Sequence, residues 1–99
     1  MTSFKITPRA RDDLKKIARY TEIQWGKAQR TKYLRALEKS FHRRALSPRL
    51  GKLREDVAEG YFSFPQGRHV IFYIIQEKHI SIIGIPHKDM DTDSYFLHD

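Results

Sequence analysis

Five histidines hold most of the chain's potential for chemistry: His42, His69, His79, His87 and His98. None stands in an HxH or HExxH spacing, and a transition-metal site needs three or four ligands to converge. The expectation is therefore no metal and no cofactor. The chain has no cysteine, which excludes disulfides, thiolate zinc ligands and thiol nucleophiles together and fits a reducing cytoplasm. His87 is singled out because it closes the last apolar run beside a polar tail. An imidazole there suits proton transfer or a partner contact. Ser40, Ser47, Ser63, Ser81 and Ser94 lack a nucleophile-elbow setting. Asp89 and Asp91, two apart in the polar tail, read as solvated charge, and no Gly-rich phosphate loop is present.

The other unusual chemistry is charge. The net charge is +7 over 99 residues, and it is unevenly spread. Residues 27–54 hold ten cations (Lys27, Arg30, Lys32, Arg35, Lys39, Arg43, Arg44, Arg49, Lys52 and Arg54) against Glu38 alone. Residues 55–99 hold three cations against eight acids. A basic middle and an acidic end favour an anionic partner, either nucleic acid or an acidic protein segment.

These residues need a scaffold, and the stretch Gly67–His87 supplies its centre. Val70–Ile75 and Ile80–Ile85 are β-branched and aromatic runs flanking a polar break at Glu77-Lys78, which predicts an antiparallel hairpin. Apolar residues at both parities predict central strands covered on both faces. Upstream, Phe4–Ile6 reads as a short strand. Thr7-Pro8 then reads as a helix start, with Thr as N-cap and Pro at the first position. Leu14, Ile17, Ala18, Thr21 and Trp25 form one helix face, and Gly26 ends the helix. A second helix over Lys27–Ala45 has the stripe Tyr33, Leu34, Leu37, Phe41, Ala45 and stops at Ser47-Pro48. Tyr61–Phe64 is a further strand, turning at Pro65-Gln66-Gly67. The tail, Lys88–Asp99, reads as either frayed or a short helix, with Tyr95, Phe96 and Leu97 as candidates to pin it down. The fold class is α+β: an N-terminal strand, a helical hairpin, then a three-stranded antiparallel meander, with the helices on one face of one sheet. Residues 1–99 read as one domain without a signal peptide or membrane span.

Taken together, Leu14, Ile17, Tyr20, Trp25-Gly26, Gln29, Tyr33, Leu37, Phe41, Pro48, Gly51, Arg54, Gly60-Tyr61, Gly67-Arg68-His69, Ile71, Tyr73, Ile80, Ile82, Ile85, His87 and Met90-Asp91 form a recognisable pattern. It resembles the ParE toxins of the RelE/ParE superfamily of type II toxin–antitoxin systems. The Trp-Gly joint and the GRHxIxY strand followed by HxxMD are specific in combination. The resemblance implies the small α+β toxin fold, a ParD-like antitoxin partner with an acidic C-terminal arm, and DNA gyrase as the target. It implies inhibition by binding, with no catalysis and no sequence-specific DNA binding by this chain alone, and a toxin–antitoxin hetero-oligomer. The alternative within the superfamily is a RelE-like ribosome-dependent mRNA endonuclease, in which His87, Arg68 and Lys88 would be catalytic. Such enzymes place cations on the sheet to stabilise the developing phosphate charge, and the corresponding strands here lack them. Two positions depart from the ParE pattern: Phe62 where Arg usually follows the Gly-Tyr, and Pro86 where an aliphatic residue usually precedes the histidine. Proline removes a ladder donor, so the last strand should end there.

Candidate antitoxin contacts are Arg30, Tyr33, Arg35, Leu37 and Arg44, around an apolar groove flanked by cations of the second helix. Candidate target contacts are Arg68, His87, Lys88 and Met90.

Overall fold

The computed structural model describes residues 3–97. Strand β1 (Phe4–Ile6) leads into helix α1 (Pro8–Trp25), helix α2 (Lys27–Leu46) and a 3-10 turn (Pro48–Leu50). Strands β2 (Lys52–Leu53), β3 (Tyr61–Gln66), β4 (His69–Ile75) and β5 (Ile80–Gly84) follow, then helix α3 (Thr92–Leu97). The sheet order is β1-β5-β4-β3-β2. β1 runs parallel to β5, and the remaining pairs are antiparallel. β4 and β5 are thus interior strands. The two-residue β2, which pairs with Phe62 and Ser63, extends the expected meander by one strand; it is too short for any periodicity to register.

Thr7 does two jobs at the first junction. Its hydroxyl accepts from Ala10 N at 3.3 Å, capping α1, and donates to the Ile82 carbonyl at 2.9 Å, tying the cap to β5. Gly26, at φ 93°, closes α1 and opens α2 in one residue, a backbone setting that favours glycine. The core lies between the helical hairpin and one face of the sheet: Ala10 and Ile17, then Leu37, Phe41 and Ala45, against Phe62, Ile71, Tyr73, Ile80, Ile82 and Ile85. Trp25 departs from the expected core face. It is 59% exposed, because the buried run of α1 ends at Thr21. β3 continues through Pro65, which pairs with Val70. β2 reaches only Phe62 and Ser63, so Pro65 sits where β3 is an edge and its missing N–H matters least. β5 ends at Gly84, ahead of Pro86.

The other face of the sheet is also covered, as the two-parity pattern requires. Phe72 is 1% exposed, with the ring of Phe96 from α3 edge-on at 5.1 Å. Tyr61 meets the same ring at 5.2 Å. Asp91 starts α3 by accepting from Asp93 N and the Ser94 hydroxyl. Tyr95 and Phe96 pin the tail; Leu97, 80% exposed, does not. His98 lies outside the described residues.

Candidate functional site

Three surfaces are possible places for chemistry or docking. The first is the sheet face turned away from α1 and α2. None of the residues of β3, β4 and β5 is Lys or Arg. The edge strands add Lys5 on β1 and Lys52 on β2, both exposed, and over the centre of the face lies Arg54, whose guanidinium binds Asp56 at 3.0 Å and Ser63 Oγ at 3.3 Å. It lies 5.3 Å from the Phe72 ring centroid. Its charge is already matched, and Asp56 is held below the usual carboxylate range by that hydrogen bond. With Phe96 seated on Phe72, the face is aromatic and largely filled.

The second surface is a cleft of about 1110 Å³ between α1, the start of α2, the β3–β4 turn and the segment after β5. Its geometry begins at the turn. Gly67 has φ 59°, and a Cβ there would come within 2.6 Å of the Tyr33 ring. Only glycine therefore lets the turn close onto α2. The Tyr33 hydroxyl accepts from Arg68 N at 3.1 Å, reaches the Gln66 carbonyl at 3.0 Å and shares a 2.6 Å hydrogen bond with His69 Nδ1. Burial raises the Tyr33 phenol above its ordinary range. Past β5, Val70 N donates to the Pro86 carbonyl and Lys88 N to the Arg68 carbonyl. This lays His87 opposite His69, with ring centroids 5.4 Å apart. His87 Nδ1 accepts from Asp89 N at 3.1 Å, so this ring is positioned by its own turn. Burial, then the charge of His87, pulls the His69 pKa down to about 4, leaving a neutral imidazole at physiological pH.

Arg68, His87 and Met90 line this cleft together, while Lys88 is exposed beside it. Arg9, Lys16, Asp12 and Asp13 also line it. Arg68 lies 5.8 Å from the Trp25 ring centroid, and Arg9 stacks over Tyr95 at 4.2 Å while donating to its carbonyl. Asp13 accepts from Ile85 N at 2.9 Å and from the Tyr95 hydroxyl; burial and this carboxylate push the Tyr95 phenol well above its ordinary value. Arg9 and Arg68 thus lie over separate rings, Tyr95 and Trp25. Trp25 and Tyr20, both more than half exposed, were not readable as cleft residues because helical spacing assigned Trp25 to the core. The GRH triplet was the usable signal.

The third surface is a groove of about 620 Å³ between α1, α2 and β1. Phe4, Ile6, Leu14, Leu34 and Phe41 give it an apolar floor, and Arg11, Lys15, Arg30 and Arg35 a cationic rim, with Glu38. Of the expected antitoxin contacts, Arg30 and Arg35 are here, Arg30 also pairing with Glu22. Leu37, also expected there, is fully buried core. Arg44, the remaining one on this helix besides Tyr33, is buried too. It is 7% exposed, lies 3.8 Å over the Phe64 ring and has an Nε without a hydrogen-bond partner. Tyr33 belongs to the cleft, not this groove. No group of three or more His, Asp or Glu able to hold a metal occurs among the described residues, and none of their helices is long and apolar enough to cross a membrane.

Comparison with known proteins places these surfaces in context. Residues 4–92 match the family described as ParE toxin of type II toxin-antitoxin system, parDE. A protein named Toxin ParE1 from Mycobacterium tuberculosis is 32% identical over 91 residues, covering 91% of this chain and 93% of the relative. Another named Toxin ParE1, from Caulobacter vibrioides, is 30% identical over 95 residues, covering 96% and 98%. A solved structure described as a chromosomal ParDE TA system from P. aeruginosa superposes with a TM-score of 0.75 at 19% identity, covering 88% of this chain and 96% of that one. That similarity supports the fold.

Proposed function

The chain belongs to the ParE toxin family of type II toxin–antitoxin systems, and from that premise we propose that it disables DNA gyrase by binding, without catalysis, and is neutralised by a ParD-like antitoxin in the cytoplasm. The observation that supports binding over cutting is the outer sheet face. Its three longest strands, β3, β4 and β5, hold no cation, the guanidinium over Phe72 is paired with Asp56, and Phe96 covers Phe72. Phosphodiester cleavage needs positive charge waiting where the transition state becomes more anionic, and the lysines of this face, Lys5 on β1 and Lys52 on β2, stand at opposite edges of the five-stranded sheet, roughly 19 Å apart at the usual strand spacing. Gyrase contacts are assigned to the cleft, with Arg68, His87 and Met90 joined by the exposed Trp25. An aromatic and an arginine at one site are the residue types that anchor interfaces.

The antitoxin is assigned to the groove. An apolar floor beneath a cationic rim suits an acidic amphipathic segment, burial supplying affinity and charge steering the encounter. The test is a supercoiling assay with purified chain and gyrase, beside a translation extract programmed with defined mRNA. Dose-dependent loss of supercoiling with intact mRNA is expected. Undisturbed supercoiling together with mRNA cleavage that disappears in His87→Ala would replace this reading with the ribonuclease one.

A further inference from the structure

The exposed ridge of α2 shares Arg35 with the groove and is otherwise used by neither surface assigned above. With 3.6 residues per turn, Lys32, Arg35, Lys39 and Arg43 fall within a sector of roughly 80° on the side away from the core. All four are exposed, and none has an ion-pair or side-chain hydrogen-bond partner among the described residues. Lys32, Lys39 and Arg43 line neither the cleft nor the groove. Arg49 and Lys52, also exposed, continue the charge beyond the end of the helix. Helix α1 is an internal control. Its five cations are interspersed with Asp12, Asp13 and Glu22, the mixed pattern that solubility alone calls for. The seven cations of α2 face a single acid, Glu38.

We propose that this ridge binds the phosphate backbone of duplex DNA without regard to sequence. The ridge is convex and carries no apolar pocket, so it lacks the desolvated anchor on which a protein interface depends. The ring beside it, His42, is held edge-on against Phe4 at 4.9 Å, which disfavours stacking of an unpaired base and so disfavours single strands. Four cations spread over the 12 residues from Lys32 to Arg43 span about 17 Å of helix, matching a continuous rod of phosphates. The major groove of B-form DNA is about 12 Å wide and its rim accepts a helix, whereas the deep, narrow groove of A-form RNA does not. The contact would hold the toxin on the polymer along which it meets partners, and it is independent of the gyrase reading because it needs no gyrase.

The experiment is fluorescence anisotropy of a short labelled DNA duplex titrated with the full-length chain at several salt concentrations. Four phosphate contacts give a log–log salt slope of about −3.6, equivalent to roughly 150-fold weaker binding between about 50 and about 200 mM salt. The triple variant Lys32→Gln, Lys39→Gln, Arg43→Gln should bring the slope near about −0.9. A control with the same charge change, Lys5→Gln, Arg19→Gln, Lys78→Gln, should stay close to wild type. If the triple variant melts early, the three single substitutions replace it, each expected to lower the slope by about one. The proposal is overturned by an absence of binding at low salt, by equal losses in ridge and control variants, or by tighter binding of single-stranded DNA, duplex RNA or polyglutamate than of duplex DNA.

Discussion

At the scale of single residues, the cleft is governed by two imidazoles with different environments. His87 lies at the surface with its Nδ1 fixed by Asp89 N, while His69 is half-buried between Tyr33 and His87. The consequence for pH follows from His69. Unfolded, it takes up a proton near pH 6.5; folded, burial and the neighbouring ring delay this to about pH 4. Within that window the unfolded chain binds more protons, so stability falls as pH drops from 6.5 toward 4 and levels off below. Urea midpoints measured across that range should show this decline, and His69→Gln should remove a clear part of it. An unchanged pH profile in His69→Gln would show that the loss comes from other groups. A general acid or base works best near the ambient pH, and a pKa of about 4 leaves His69 poorly placed for such work, in keeping with a contact role for this wall.

At the scale of elements, the joint between α2 and the β3–β4 turn sets the shape of the cleft. It consists of one tyrosine hydroxyl with three partners and one glycine under its ring. Gly67→Ala must accommodate both φ 59° and a Cβ pressed against Tyr33, and should cost about 1–3 kcal/mol. Tyr33→Phe, which removes the hydroxyl while keeping the ring, should cost about 1–2 kcal/mol. Thermal or denaturant unfolding measures both; a Gly67→Ala protein as stable as wild type would mean that the turn relaxes away from α2. What could be read from sequence divides along the same line. Thr7-Pro8, Gly26 and the two isoleucine-rich runs carry signals within a few residues, and each element formed where those signals lay. The joint unites Tyr33 with Gly67, and the cap of α1 unites Thr7 with Ile82, across separations that one sequence does not encode locally. Trp25 follows helical spacing yet overruns the sheet it was expected to meet. Leu37 and Arg44 were offered as contacts because composition distinguishes charge from apolarity but not a stripe's exposed edge from its buried centre.

At the scale of the molecule, the cleft and the groove share no lining residue, although α1 borders both: Ile17, Tyr20 and Thr21 face one, Leu14 and Ala18 the other. A toxin that met its target and its antitoxin through one set of side chains would lose both together on mutation. Here the two should separate. Charge reversal of the groove rim, Lys15→Glu with Arg35→Glu, opposes the steering of an acidic arm. It should slow antitoxin association by roughly tenfold at low salt while changing dissociation little, since rim charges act on encounter more than on the bound state. Supercoiling inhibition by the free toxin should stay within about threefold of wild type, because the bordering helix keeps its core contacts. Trp25→Ala with Arg68→Ala should do the reverse. Removing an exposed aromatic and its stacked guanidinium takes away an interface anchor, a loss of about 2 kcal/mol or more, so inhibition should need upwards of about tenfold more toxin while antitoxin association is unchanged. Stopped-flow association and gyrase titration on the same preparations measure both arms. If either double variant impaired both activities equally while melting like wild type, the two surfaces would be one, and neutralisation would proceed by direct competition for it.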